Sequence, residues 1–371
     1  MNDMPDRIAG ETEWRPETRW RVRLWELLPL RRTLVVGCIA LSSAALTWAI
    51  RGAYPASPSD LAQVWIAARA YLAGVDPYSV VGPDRPFQWG FPLLYPFPAV
   101  LVFLPFAPLP MRWVDPLWVG FGSGLLAWVL TRQRVANPQL LVFASFAYCY
   151  ALILSQWSPL LTAAALLPWG GVILACKPTV GLALFAAYPG RRAMIGAAAA
   201  ILASLLLYPR WPIAWLGGLS QQQHVTPLIL HPGGPLILLA LLRWRRAEAR
   251  LLMALACVPL TPSIYEAIPL FLIPETWFEG GLLVALTYLV GITLPAFSAA
   301  TFNEYLAASA DRLVWFLYLP CVVMLLRRPG TVEQLARTSP WGPNYTNSGA
   351  AITGRRILHE TSEKGMRGVL K

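Results

Sequence analysis

Asp60 is the residue of this sequence whose position best fits chemistry. It opens a predicted helix, Asp60–Tyr71, where it can act as the N-cap with Gln63, three residues on, as its capping-box partner. Beside lipid and partly desolvated, its pKa would rise towards neutrality, and the carboxylate could serve as a general base. A carboxylate bonded to the helix end is less free to accept a proton, so the sequence leaves these two roles open.

Four further polar residues interrupt apolar sequence downstream. Lys177 is the only lysine before the polar C-terminal tail, and a buried ammonium must reach water, an acid or an anionic ligand such as a lipid phosphate. Gln156 breaks the longest apolar block, and Tyr265 and Glu266 follow in TPSIYE. The alternative interpretations are a lysine that extends to the membrane surface, a loop glutamine and two turn residues.

Motifs of soluble enzymes are absent from the sequence, which contains no GxGxxG after a strand, P-loop, HExxH or GxSxG. His224 and His231 lie seven residues apart without a partner acid, and the five cysteines form no CxxC pair. We therefore expect no metal site and no cofactor. The net charge of +11 comes largely from arginines at the ends of apolar runs, where they anchor helices, so we expect no nucleic-acid partner.

The elements that must position these residues are membrane helices. Hydrophobic residues make up 56% of the 371 residues and charged residues 13%, whereas soluble domains carry about 25% charged residues. The apolar runs predict an all-α polytopic membrane protein with about nine to eleven transmembrane helices and short extracytoplasmic helices. The predicted spans are Thr33–Ile50, Val114–Leu130, Pro138–Leu154, Leu160–Leu174, Thr179–Tyr188, Ala193–Tyr208, Pro227–Leu242, Leu251–Leu260, Ile264–Ile273, Leu282–Ala299 and Leu313–Leu326.

Prolines punctuate the apolar run from Pro92 to Pro110. A straight helix cannot accommodate them, so this run is predicted to be a kinked crossing or a re-entrant element.

Arginine-rich flanks predict the orientation of the chain. We divide it into a cytoplasmic N-terminal segment (1–32), whose Arg19–Arg32 stretch suits a membrane surface, a membrane domain (33–328) and a disordered cytoplasmic tail (329–371). Residues 51–92 then form the extracytoplasmic loop that holds Asp60. These features fit a multi-pass protein of the cell inner (plasma) membrane.

The second half of the membrane domain is subject to a parity condition. If Arg243–Arg250 and Arg327–Arg328 share the cytoplasmic face, an even number of crossings lies between them. The block Leu251–Ile273 must then form a short hairpin with Thr261–Glu266 at its outer tip.

Four ordered stretches between Ser57 and Ser220 resemble glycosyltransferase family 87. They are DLAQVWIAARAYLAGVDPY with FPLLYPFPAVLVFLPFAPLP, SQWSPLLTAAALL, GGVILACKPTVGLAL and YPRWPIAWLGGLS. The family includes polyprenol-phosphate-mannose-dependent α-mannosyltransferases of the GT-C superfamily. The chain departs from its pattern at Ser155, where glycine is usual, and at Ser158, where asparagine is usual.

The resemblance implies a GT-C-like membrane glycosyltransferase. It would transfer a hexose such as mannose, with inversion, from a polyprenyl-phosphate donor to an extracytoplasmic glycolipid or glycan acceptor. Asp60 would be the general base. The residues implied at the donor phosphate are Lys177, Arg69 and Arg210, and those implied at the substrates are Asp76, Tyr78, Tyr95, Gln156, Tyr265 and Glu266.

Two other classes remain open. A transporter or lipid flippase usually places charges or broken helices at the bilayer midplane and often has repeated halves, whereas the acids here lie at span ends. A diverged, non-catalytic family member or scaffold would tolerate the loss of Asp60, Lys177 and Gln156.

Overall fold

The computed structural model describes residues 17–55, 57–132, 134–220, 226–259, 263–294 and 302–328. The predicted cytoplasmic tail at 329–371, the first 16 residues and His224 lie outside the described residues, as does part of the predicted hairpin tip at 260–262.

The described residues are mostly helical. The α-helices are α1 (Glu17–Ala53), α2 (Leu61–Leu72), α3 (Phe97–Phe103), α4 (Met111–Leu130), α5 (Phe146–Leu154), α6 (Ser158–Ala165), α7 (Gly171–Leu174), α8 (Pro178–Ala187), α9 (Arg191–Leu207), α10 (Trp211–Ser220), α11 (Ala247–Cys257), α12 (Trp277–Thr293), α13 (Phe302–Leu313) and α14 (Leu319–Leu326). Between them lie the 3₁₀ helices Pro77–Ser79, Leu104–Phe106, Pro138–Ala144, Leu228–Leu230, Gly234–Arg243 and Ile264–Leu272, and the π-helix Val314–Tyr318. Two short strands, β1 (Val81–Gly82) and β2 (Phe87–Gln88), pair with each other.

Three described helical stretches are long and apolar enough to cross a membrane: Pro29–Ala53, Met111–Leu130 and Leu306–Leu326. They contain the predicted first span, the predicted Val114–Leu130 and the predicted last span. The Arg19–Arg32 stretch is continuous with the first span, because α1 runs without a break from residue 17 to residue 53.

Several other predicted spans are broken. The block 138–154 is a 3₁₀ helix and then α5, separated at Ser145, whose backbone is extended. The block 160–174 is divided between α6 and α7, and α9 bends by 101° into α10. In the proline-rich run, α3 and the following 3₁₀ turn cover only Phe97–Phe106. At about 1.5–2 Å per residue this stretch is far shorter than a bilayer core.

The two arginine-rich stretches of the parity condition, Arg243–Arg250 and Arg327–Arg328, contact each other. The Nε of Arg243 donates to the carbonyl oxygen of Arg328 at 3.2 Å, and both Arg246 and Arg328 pair with Glu275 at 3.2 Å. Glu279 adds a 3.7 Å contact to Arg328. We call these five residues the arginine end. The chain leaves this end through α11 and returns to it along the 3₁₀ helix Ile264–Leu272, so Ile264 lies at the opposite end.

Helices α1 and α4 run antiparallel between the two ends. At one end Arg32 donates to the carbonyl of Trp128 at 2.8 Å, and at the other Arg51 lies 3.5 Å from Asp115. Close approach is possible because α4 presents glycine to α1. A Cβ added at Gly124 would lie 2.9 Å from the Cβ of an alanine of α1. Small residues of this kind let helix backbones approach each other in membranes.

Candidate functional site

The carboxylate of Asp60 does not cap α2. The backbone of Asp60 is already helical (φ −60°, ψ −25°) and not extended, so its side chain makes no hydrogen bond to the amides of the first turn. Gln63 donates only to the backbone carbonyl of Asp60, at 3.3 Å, and the predicted capping box is therefore wrong. Instead the carboxylate accepts a hydrogen bond from Nε2 of Gln156. Of the two roles left open for Asp60, the capping role is excluded.

The end of α5 brings Gln156 to Asp60. Ser155 adopts a left-handed conformation (φ +52°), and the amide of Gln156 then donates to Ala151 at 2.9 Å, which closes the helix. The backbone amide of Asp60 donates to the carbonyl of Leu154 at 3.2 Å. Two chain segments almost a hundred residues apart are thus joined through main chain and side chain at one point.

Gln156 keeps an open acceptor. An ionised carboxylate only accepts hydrogen bonds, so the amide must turn its Nε2 towards Asp60. The amide oxygen Oε1 then has no hydrogen-bond partner among the described residues. Water cannot easily supply one, because the whole residue is only 3% exposed. A buried, unsatisfied acceptor costs stability, and it is a natural place for a ligand hydroxyl to donate.

Lys177 and Glu266 form a second, adjoining pair. Lys177 immediately precedes α8, and its ammonium makes an ion pair with Glu266 in the first turn of the 3₁₀ helix Ile264–Leu272. Ser158, the first residue of α6, donates to the other oxygen of Glu266 at 3.0 Å. The ammonium also lies 5.3 Å from the ring centre of Tyr265. The acid partner that the sequence analysis allowed for Lys177 is therefore Glu266.

Aromatic rings form an apolar floor beside these polar groups. Tyr95 lies 5.8 Å from Trp157, which packs against Trp118 at 4.5 Å and Phe103 at 5.6 Å between ring centres. All four are buried. Tyr95 is close enough to Asp60 for the two to interact electrostatically, so this floor lies beside Asp60.

Burial raises the pKa of Asp60 to about 6. The ammonium of Lys177, the hydrogen bond from Gln156 and the guanidinium of Arg51 act in the opposite direction, whereas the Glu266 carboxylate adds to the increase. Asp60 lies between the candidate spans Pro29–Ala53 and Met111–Leu130, outside both. At neutral pH such a carboxylate is mostly ionised, yet basic enough to accept a proton.

The structure therefore brings six of the ten predicted site residues into one group. We call it the site cluster; its members are Asp60, Tyr95, Gln156, Lys177, Tyr265 and Glu266. It lies at the end of the helices opposite the arginine end, since Glu266 is in the first turn of the 3₁₀ helix that returns to Glu275.

Arg69 does not belong to the site cluster. It lies nine residues along α2 from Asp60, a distance of about 13 Å, and its exposed guanidinium stacks 4.8 Å from the ring centre of Trp65. The prediction that it assists Lys177 at a phosphate does not agree with this position.

Asp76, Tyr78 and Arg210 form a neighbouring group around Tyr208. Asp76 accepts from the amide of Tyr78 at 2.9 Å, as expected for the Asp-Pro-Tyr turn, and Tyr78 stacks on Tyr208 at 6.4 Å. Arg210 is exposed and follows Tyr208 by two residues, at the bend between α9 and α10. The hydroxyl of Tyr78 donates to the carbonyl of Tyr95 at 3.2 Å, which links this group to the site cluster. Arg210 is thus placed with Tyr208 and not with Lys177.

The sequence analysis overlooked Arg51, Asp115 and Ser59, and it noted Ser158 only as a departure from the family pattern. Asp115 and Ser59 are each 1% exposed, and the hydroxyl of Ser59 donates to Asp115 at 2.7 Å. The signal that could have identified Asp115 is a single acid inside the apolar sequence of α4, because acids within membrane helices are rare and almost always paired.

Within the described ranges no group of three or more His, Cys, Asp or Glu side chains is placed to hold a metal ion. His231 instead pairs with Asp311, at 3.1 Å. What the site cluster offers is a basic carboxylate, an open amide acceptor and an ammonium, side by side over an apolar floor.

No protein-family model matches the chain, and no curated protein or solved structure shows significant similarity to it.

Proposed function

We propose that the chain is a membrane glycosyltransferase that moves a hexose, with inversion, from a polyprenyl-phosphate donor to a hydroxyl of a glycolipid or glycan acceptor. The observation that carries this proposal is the side-by-side placement of Asp60, hydrogen-bonded to Gln156, and the Lys177–Glu266 pair. A base and a cation in one site meet the two needs of such a transfer: removal of a proton and stabilisation of a leaving phosphate.

In the proposed reaction Asp60 accepts the proton of the acceptor hydroxyl as the hydroxyl oxygen attacks the anomeric carbon. The new bond joins that oxygen to the anomeric carbon, and the bond from the anomeric carbon to the phosphate oxygen breaks. Its electron pair leaves with the polyprenyl phosphate. Inversion requires that base and leaving phosphate lie on opposite faces of the sugar, with the sugar between Asp60 and Lys177.

Lys177 is proposed to stabilise the charge that grows on the leaving phosphate. The lysine is partly accessible, with 17% of its side chain exposed. The Glu266 side chain is only 5% exposed and accepts a hydrogen bond from Ser158. A phosphate can therefore approach the ammonium while Glu266 holds it in position. The open Oε1 of Gln156 would accept a hydrogen bond from a sugar hydroxyl.

The proposed membrane placement follows from the two ends of the helices. Positive residues favour the cytoplasmic side, so the arginine end would face the cytoplasm and the site cluster the outside of an inner (plasma) membrane. The shorter helices would complete further crossings in broken pairs, towards the about nine to eleven expected for a GT-C-like fold. The tyrosines of the Tyr208 group would pack against acceptor sugar or lipid.

The test is replacement of Asp60 by asparagine in membranes supplied with radiolabelled polyprenyl-phosphate hexose. We expect the transfer rate to fall by at least about 10²-fold, the usual contribution of a general base, with the protein folded. Asp84→Asn is the matched control, because Asp84 lies in the same outer segment, is exposed, and has a positive φ (59°) that asparagine accepts. Full transfer by a folded Asp60→Asn protein would exclude the general-base role.

Broken helices favour a second candidate, a lipid or small-molecule transporter. Discontinuous helices are common in transporter sites, and α9 bends by 101° into α10. Vesicles that contain the pure protein and a fluorescent polyprenyl-phosphate sugar discriminate between the two. Movement of the label across the bilayer, without formation of a glycosylated product, would favour transport.

A further inference from the structure

Arg51, in the last turn of α1, bonds to both chain segments that meet at the site cluster. Its Nη1 donates to the carbonyl of Ser57 at 2.8 Å, three residues before Asp60, and its Nη2 donates to the carbonyl of Ile153, three residues before Gln156. One guanidinium thus holds the two backbones that carry the hydrogen-bonded pair.

Asp115 holds Arg51 in turn. The carboxylate lies on α4, is 1% exposed, and approaches Nε of Arg51 at 3.5 Å through Oδ2. Its other oxygen accepts from Ser59, the residue next to Asp60, at 2.7 Å. One oxygen of this buried acid therefore faces the guanidinium of Arg51, and the other is bonded to the residue next to Asp60. A buried acid that is paired and hydrogen-bonded in this way fixes geometry, since few other arrangements satisfy it.

We propose that Arg51 and Asp115 form a clamp that positions the Asp60 carboxylate against Gln156, so that both are positioning residues for the proposed transfer reaction. The inference deepens the proposed function and rests on it for its kinetic consequences only. Neither residue touches a substrate in this proposal; Arg51 acts through the two backbone segments that it holds, and Asp115 acts through Arg51 and Ser59.

Because Arg51 and Asp115 are charged, they affect the pKa of Asp60, which a purely structural contact would not do. The charged and titratable groups facing Asp60 are Arg51, Lys177 and Glu266, with the phenols of Tyr95 and Tyr265 beside them. Arg51 favours the ionised form of Asp60. Loss of its charge should raise the pKa of Asp60. Loss of the charge of Asp115, which partly neutralises Arg51, should lower it.

The experiment measures the pKa of Asp60 without relying on sugar transfer. Dicyclohexylcarbodiimide reacts with protonated carboxyl groups in apolar surroundings, and mass spectrometry of the peptide that contains Asp60 gives its extent of labelling at each pH. For the unmodified protein we expect half-maximal labelling near pH 6. We expect Arg51→Met to move this midpoint to higher pH by about half a unit or more, and Asp115→Asn to move it to lower pH.

Arg51→Lys separates charge from geometry. Lysine keeps the positive charge but lacks the planar guanidinium that reaches the two carbonyls and the carboxylate from separate nitrogens, so the midpoint should stay near that of the unmodified protein. The transfer kcat should fall at least about tenfold with little change in KM, because the base is displaced and substrate binding is not.

Arg32→Met is the matched control. Arg32 also joins α1 to α4 through a backbone carbonyl, but at the far end of both helices, so its loss should leave the Asp60 midpoint unchanged. Midpoints that coincide for Arg51→Met, Asp115→Asn and Arg32→Met in folded proteins would overturn the clamp. If Asp60→Asn transferred sugar normally while the midpoints moved as expected, the proposed function would fail and the clamp would stand.

Discussion

Replacement of Asp60 by asparagine should stabilise the folded protein at alkaline pH. Burial raises the pKa of Asp60 from 3.8 to about 6, a value that already includes the attraction of Lys177 and Arg51. At about 1.4 kcal/mol per pKa unit, ionised Asp60 costs the folded state about 2–3 kcal/mol above pH 7. Asparagine is neutral and can still accept the hydrogen bond from Gln156, so the variant avoids this cost.

The sign of the effect follows from proton linkage. The folded state holds the Asp60 proton more tightly than the unfolded state does, so the stability that this proton contributes is fully present below about pH 4 and is lost as the pH rises through about 6. The variant and the unmodified protein should therefore have similar stability at pH 3.5 and should differ most at pH 8.

Thermal unfolding in detergent, followed at both pH values, tests this prediction. A change of 1 kcal/mol moves the Tm of a domain of 150–250 residues by about 2–4 °C, so we expect the Tm of the variant to be several degrees higher at pH 8. Asp84→Asn, in an exposed turn, should show no such difference. An equal Tm change at both pH values, or none at pH 8, would refute a buried, near-neutral Asp60.

Three further substitutions test the packing around the site cluster. Lys177→Met should destabilise the protein by about 3–5 kcal/mol in chemical unfolding, because it leaves the buried carboxylate of Glu266 unpaired, and adding Glu266→Gln should restore most of the loss. Ser155→Gly should raise stability by about 1 kcal/mol in the same assay, since glycine adopts the left-handed backbone (φ +52°) without strain. Gly171→Ala should reduce the folded fraction on size exclusion, because its Cβ would overlap the backbone of α9, whereas Gly37→Ala meets nothing within 4 Å and should not.

Each of these outcomes has a clear contrary result. An unchanged unfolding midpoint for the Lys177 variant would mean that the ion pair contributes nothing to the fold. A destabilised glycine variant at residue 155 would mean that the serine hydroxyl has a partner of its own. Equal folded fractions for the two alanine variants would contradict the close approach of α7 and α9.

The individual residues of the site cluster were predictable because polar groups are rare in such an apolar chain. Asp60, Gln156, Lys177 and Glu266 each interrupt apolar sequence, and a buried charge must find a partner. Which partner each one finds was not predictable. The capping pattern at Asp60 and Gln63 is a local signal, and the tertiary hydrogen bond from Gln156 replaces it.

The predicted spans match long apolar helices where the helix is continuous and do not match the helix bounds where it is broken. The windows around Thr33–Ile50, Val114–Leu130 and Leu313–Leu326 coincide with long apolar helices. Hydropathy does not predict the extended backbone at Ser145. This residue divides one apolar window into two short helices. A window average reports how apolar a segment is, and the direction of its backbone depends on individual residues and their partners.

By itself the sequence determined that the protein is mostly helical and apolar, with its acids few and its arginines at helix ends, because composition and run length are local properties. It also singled out Asp60 as a carboxylate in an unusual place. Only the tertiary structure decided which residues pair. Gln156 donates a hydrogen bond to Asp60, Lys177 pairs with Glu266, and Arg51 pairs with Asp115. These pairs join residues from 64 to 96 positions apart. Such contacts depend on how the helices pack around one another, which no short stretch of the chain specifies.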